Sequence, residues 1–191
     1  ERLSARIGYE RANPRDLYNL SHSLKKLPAI VGLLKDSADG ILTENIKGLS
    51  GTETIVEKLE KALIDDPPLS ATDGGIFKSG YSADLDAAVE GAREGKQWIA
   101  GLQARERERS GISSLKVGFT HVFGYFIEVS KANVERVPKD FIRKQTLVGG
   151  ERYITEDLKQ WESVVLNAEE KEKKLESKLF DELRRWMASH L

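Results

Sequence analysis

The 191-residue chain contains no cysteine, and with it go a disulfide framework, a thiolate nucleophile and any cysteine-bearing zinc site. It also lacks a charge of one sign: 30 Lys and Arg stand against 31 Asp and Glu, a formal net charge of −1. A global attraction to nucleic acid or anionic lipid is thereby excluded, and any electrostatic function has to be local. No apolar run approaches the length of a bilayer span, so no membrane partner is expected. The opening ERLSARIGYERANPRDL lacks the apolar core of a signal peptide and reads as a chain starting partway through a helix. Glycine and proline are missing altogether from Glu156 to Leu191.

What is present is strongly charged (32%) and patterned for helix. Asn13, Pro14 and Asp16 supply a capping side chain, a proline for the first turn and an acid beside it. Leu17, Leu20, Leu24 and Leu27 follow as one apolar seam, which Pro28 is placed to interrupt. Thr52 opens a second helix with Ile55, Val56, Leu59 and Leu63 on one face. The loop DDPPLSATDGG, from Asp65 to Gly75, separates it from a third, starting near Ser82 and carrying Leu85, Val89, Ala92, Ile99 and Leu102. The last helix starts after Thr155, with Leu158, Trp161, Val165, Ala168, Leu175, Leu179 and Trp186 along it. At 1.5 Å per residue it would run roughly 50 Å.

Between Ser110 and Thr155 the period changes to two. Leu115, Val117 and Phe119 alternate with Lys116, Gly118 and Thr120; Tyr125, Ile127 and Val129 alternate with Phe126, Glu128 and Ser130, with Gly124 at the turn. A second hairpin pairs Ile142, Lys144 and Thr146 with Arg152 and Ile154, around Val148, Gly149 and Gly150, glycines expected to supply positive φ. The expected fold is mainly α with a small inserted antiparallel β-sheet, α+β overall. Its segments are residues 1–109 (helical arms, first part), 110–155 (β insertion) and 156–191 (returning helix). Residues 110–155 carry seven basic and four acidic side chains, +3, leaving −4 for the remainder. That end of the chain is suited to phosphate.

Several residues invite other readings. Ser23–Lys26 and Ser113–Lys116 both fit S-x-x-K, but no companion motif accompanies either. His22, His121 and His190 have no metal-ligand spacing. Trp98, Trp161 and Trp186 fall in helical segments as packing residues rather than base-stacking platforms.

NPRDL (Asn13–Leu17), IDDPPL (Ile64–Leu69), DGGIFKSGY (Asp73–Tyr81), RERERSGI (Arg105–Ile112), LKVGF with HVFGYFIEVS (Leu115–Ser130), and RKQTL with ERYIT (Arg143–Leu147, Glu151–Thr155) occur in order along nearly the whole chain. In this series the chain resembles the core and clamp of the MutS family of DNA mismatch repair proteins. The resemblance implies lever helices carrying a clamp sheet that presses on the duplex DNA backbone without reading sequence. It further implies a cytoplasmic parent protein that is a DNA-dependent ATPase using ATP and Mg, pairs with a second MutS subunit as a homodimer, and passes the signal to MutL. No G-x-x-x-x-G-K-[ST] phosphate loop occurs in these residues, so no catalytic residue, cofactor or metal site is expected in the chain itself. DNA contacts are implied at the turn ends of the hairpins: Thr120, Lys144, Val148 and Gly149. Thr120 stands where relatives often have Asn, and Val148-Gly149-Gly150 where they often carry Lys and Asn, so that turn is expected to act through its backbone. The competing expectation is a helical scaffold whose β insertion packs on protein.

Overall fold

The structure, a computed structural model, describes residues 2–34 and 52–190. Residues 35–51 of the first expected segment, and Leu191 of the last, lie outside the described residues. Two compact units make up the chain: Glu1–Asp86 with Glu172–Leu191, and Ala87–Lys171. The helices are α1 (Arg2–Gly8), α2 (Pro14–Leu24), α3 (Leu27–Leu34), α4 (Thr52–Ala62), α5 (Ala83–Ser110) and α6 (Glu156–Ala188). Strands β1 (Lys116–Thr120), β2 (Gly124–Ser130), β3 (Ile142–Thr146) and β4 (Gly150–Ile154) complete a mainly α fold with one small antiparallel sheet. A 3₁₀ turn over Lys131–Arg136, which leaves no period in the sequence, joins β2 to the segment before β3.

In the first unit α2 starts where its capping residues require. Asn13 Oδ1 accepts from the Asp16 N–H at 2.8 Å, and Asp16 Oδ2 accepts from the Asn13 N–H at 2.9 Å, closing a capping box. The helix stops at Leu24 and α3 restarts with Pro28 as its second residue, because proline tolerates only the first turn. Leu17 and Leu20 of α2, Ile55 and Leu59 of α4, and Phe180, Leu183 and Met187 of α6 share one core. Glu176, in the middle of the α6 seam, is buried at 2% exposure and accepts the Ile76 N–H at 2.8 Å. This acid tethers the backbone that follows the Asp65–Gly75 loop.

In the second unit the buried face of α5 runs Ala88, Ala92, Gly95, Ile99, Leu102, Glu106, alternating steps of four and three. Val89, expected on that face, is 43% exposed, and Ala88 takes its place. The reason is close approach: a Cβ on Gly95 would lie 2.5 Å from Val165 Cγ2, and one on Gly91 would touch Ala168, so the contact face is centred on small residues. Trp98 stacks on Trp161 at 5.3 Å, as packing. The sheet has the order β1-β2-β4-β3. Leu115, Ile127, Val129 and Tyr153 form a core with Ile99, Leu102, Ile112, Leu158 and Val165. A β-bulge at Lys144 leaves that residue without a register partner between Arg143↔Tyr153 and Gln145↔Arg152.

Candidate nucleic-acid interface

The strand register decides which sequence-expected contacts can act together. β1 and β2 pair from Lys116↔Glu128 to Thr120↔Gly124, so the turn over residues 121–123 sits at the start of β2. β2 and β4 pair from Ile127↔Tyr153 to Ser130↔Gly150, so the turn over residues 147–149 sits at the end of β2. Thr120 therefore lies at one end of the sheet and Val148 with Gly149 at the other. Lys144 lies between, on edge strand β3.

The two ends differ chemically. At the first, Thr120 Oγ1 accepts from the Phe123 N–H at 3.2 Å, so this hydroxyl closes its own turn. Gly124 has φ +71, and a Cβ there would lie 2.0 Å from Glu162 Oε1, which accepts the Tyr125 N–H at 2.9 Å. The side chains displayed around it, Phe119, Val122 and Phe123, are exposed and apolar. His121 packs edge-on against Phe119.

At the second end Val148 is fully exposed. Gly149 and Gly150 do not have the positive φ expected of them. The turn instead closes through backbone hydrogen bonds, Lys131 N–H to Gly149 O at 3.0 Å and Leu147 N–H to Gly150 O at 2.8 Å. Gly150 is needed for proximity, since a Cβ there would lie 2.3 Å from Val129 O. The N–H groups of Val148 and Gly149 have no hydrogen-bond partner among the described residues. Lys131 and Lys144 are exposed and form no ion pair among those residues.

Of the nearby carboxylates Glu151 and Glu128 are engaged, while Glu135 of the 3₁₀ turn forms no ion pair among the described residues. Glu151 accepts a short hydrogen bond from the Tyr153 hydroxyl and pairs with Arg143, and this holds it below the usual carboxylate range. Burial, then the Glu151 carboxylate, pushes Tyr153 up to about 12. Glu128 pairs with Arg152 at 3.1 Å, whose guanidinium covers the Phe126 ring and bonds Gln145 Oε1. Local cations thus outnumber free anions at this end, and bare backbone donors stand beside them. Such a surface suits phosphate.

Sequence reasoning missed a polar cluster beside the same turn. Asn133 Nδ2 donates to Ser114 Oγ and Ser130 Oγ, both at 3.1 Å, and the two serine oxygens are 3.3 Å apart. Ser130 was visible only as the last residue of an alternating strand. Among the described residues no group of His, Cys, Asp or Glu is arranged to hold a metal ion, and no helix is long and apolar enough to cross a membrane.

A family model described as MutS family domain IV matches residues 80–171. The chain is 46% identical to a DNA mismatch repair protein MutS of Salinibacter ruber over 98% of its own length and 21% of the relative's. With the MutS of Pelotomaculum thermopropionicum the identity is 49%, over 96% and 21% respectively; with that of Methanococcoides burtonii it is 44%, over 100% and 22%. The chain spans about a fifth of the length of the curated relatives it matches.

Proposed function

Because the chain belongs to the MutS family, we propose that it is the lever and clamp region of a mismatch repair protein, gripping the duplex DNA backbone without sequence specificity. The observation that supports this most is the end of the sheet built by Val148 and Gly149. There the unpartnered N–H groups stand beside the unpaired Lys131, and Lys144 projects from the neighbouring edge strand. Backbone N–H groups and ammonium groups recognise phosphate and carry no base information. In this reading the helices α5 and α6 transmit motion between the sheet and an ATPase elsewhere in the full-length cytoplasmic protein, which binds ATP with Mg. A second MutS subunit completes a ring around the duplex, and MutL is the downstream partner.

A scaffold reading draws on the other end of the sheet. Phe119, Val122 and Phe123 expose apolar surface there, which suits protein better than phosphate. Titration of matched and mismatched duplexes across a salt series separates the two. Neutralising two or three phosphates gives a slope of log K against log salt of roughly −2 to −3, equal on both duplexes. Undetectable or salt-independent binding would favour the scaffold.

A further inference from the structure

We infer that Ser114, Ser130 and Lys131, with Asn133 as positioning residue, form a seat for one backbone phosphodiester of duplex DNA. The inference rests on the DNA-binding reading above and names a contact which that reading does not contain. Arg136 is anchored by donating Nη2 to Gly111 O at 2.9 Å, and its Nη1 faces Asn133 Oδ1 at 3.4 Å. That contact fixes the amide orientation, because Oδ1 must face the guanidinium and Nδ2 must face the serines.

Both Nδ2 protons are then spent on Ser114 Oγ and Ser130 Oγ. Each serine oxygen is already an acceptor, so each hydroxyl proton has to find an acceptor of its own. The 3.3 Å contact between the two oxygens can use one of them. The other has none among the described residues. The cluster has a surplus of donors.

Its surroundings raise the preference for an anion. Lys131 follows Ser130 directly and has no carboxylate partner among the described residues, Glu128, two residues before Ser130, is neutralised by Arg152, and the one unpaired acid of the 3₁₀ turn, Glu135, is outnumbered by Lys131 and Lys144. The Lys131 N–H bonds Gly149 O, and Ser130 pairs with Gly150, so the cluster adjoins the turn whose Val148 and Gly149 N–H groups are also unspent. A phosphodiester offers two charged acceptor oxygens and no donor, the complement of this arrangement. A carboxylate-bearing protein partner would satisfy the same donors, and the test distinguishes it.

The experiment is duplex binding by the chain over a salt series, unsubstituted and with Ser114→Ala plus Ser130→Ala, with Lys131→Ala as a second variant. Removing the hydroxyls should weaken binding about tenfold with an unchanged salt slope, since a neutral donor displaces no counterion. Lys131→Ala should flatten the slope by about 0.9. Ser130→Thr, which keeps a hydroxyl, should retain most of the affinity. In the unsubstituted chain, bound duplex should protect Lys131, and not Lys173 on α6, from amine acetylation read by mass spectrometry. If the unsubstituted chain binds duplex while the double alanine variant, with unchanged circular dichroism, binds as well, the seat is refuted and the DNA-binding reading stands. Should the double variant lose its fold, the acetylation result decides, and unprotected Lys131 refutes the seat. If the unsubstituted chain does not bind duplex at all, both fall together, leaving the carboxylate-bearing partner.

Discussion

Two adjacent glycines should respond to the same substitution in opposite ways. A methyl group on Gly150 would lie 2.3 Å from Val129 O, 3.1 Å from Val129 C and 3.2 Å from Ser130 Cα, all backbone atoms of interior strand β2. Backbone atoms cannot rotate aside as a side chain can, so β2 and β4 would have to separate by about 1 Å to reach ordinary contact. Overpacking of this kind costs roughly 1–3 kcal/mol. Weakening of the Leu147 to Gly150 and Lys131 to Gly149 hydrogen bonds adds about 0.5–1.5 kcal/mol each. Gly150→Ala should therefore destabilise the sheet-bearing unit by about 2–6 kcal/mol. Gly149→Ala meets nothing within 4 Å and needs no left-handed backbone. It should be neutral, or stabilise by up to about 1 kcal/mol by restricting the unfolded chain. Urea unfolding followed by circular dichroism gives the two free energies, and hydrogen exchange at Val129–Lys131 and Glu151–Tyr153 locates the loss. Equal effects of the two substitutions, or a Gly150→Ala chain within about 0.5 kcal/mol of the unsubstituted one, would refute the close approach; that margin is the usual scatter of neutral surface changes.

Val148→Lys, at a fully exposed turn, should leave the fold intact and steepen the salt slope of duplex binding by about 0.9; an unchanged slope would turn Val148 away from the duplex. Glu10 has φ +54, and its carbonyl accepts from Arg184 Nη1 at 2.6 Å, so Glu10→Gly should raise stability by up to about 1 kcal/mol in thermal unfolding, whereas a loss would mean that the carboxylate outweighs the backbone strain. Asp140 lies below the usual carboxylate range, first because Arg109 donates to both its oxygens at 3.1 and 2.8 Å. A carboxylate lowered on folding contributes stability above its unfolded value of about 3.9, and that contribution is lost as pH falls through the folded one. With both side chains about half exposed, Asp140→Asn should cost under about 1 kcal/mol at pH 6, and nothing by pH 2; a gap persisting at pH 2 would assign the effect to packing.

Local chemistry was legible in the sequence wherever a feature depends on near neighbours. The Asn13-Pro14-Asp16 start, the alternation of β1 and β2 and the turn at Gly124 all appear as read, whereas the helix break falls at Lys25 and Lys26, so that Leu27, expected on the seam of α2, belongs with Pro28 to α3. Features set by distant partners were not legible. Nothing in the spacing reveals that β2 pairs with β4, and this pairing is what separates Thr120 from Val148. Ala88 replaces Val89 because helix packing at Gly95 is controlled by Val165, seventy residues away in sequence. Glu176 reads as an exposed charge until the Ile76 amide, a hundred residues distant, is seen to meet it. The Ser114–Ser130–Asn133 cluster joins the start of the insertion to the end of β2 and has no periodic signature.

The bulge at Lys144 also bears on how this protein behaves when crowded. A sheet with two open edges can recruit strands from other molecules and grow. Along β1, Gln103 of α5 occupies an amide by accepting from Val117 N–H at 3.0 Å. Along β3 the irregular register at Lys144 breaks the flat hydrogen-bonding ladder an incoming strand would need, and Arg143 and Lys144 place adjacent cations on the approach. Straightening β3 by deleting Lys144 would restore a regular edge beside the exposed Ile142, inviting stacking of one molecule's sheet on the next. The lysine that suits a phosphate contact is thus also suited to keeping these sheets apart.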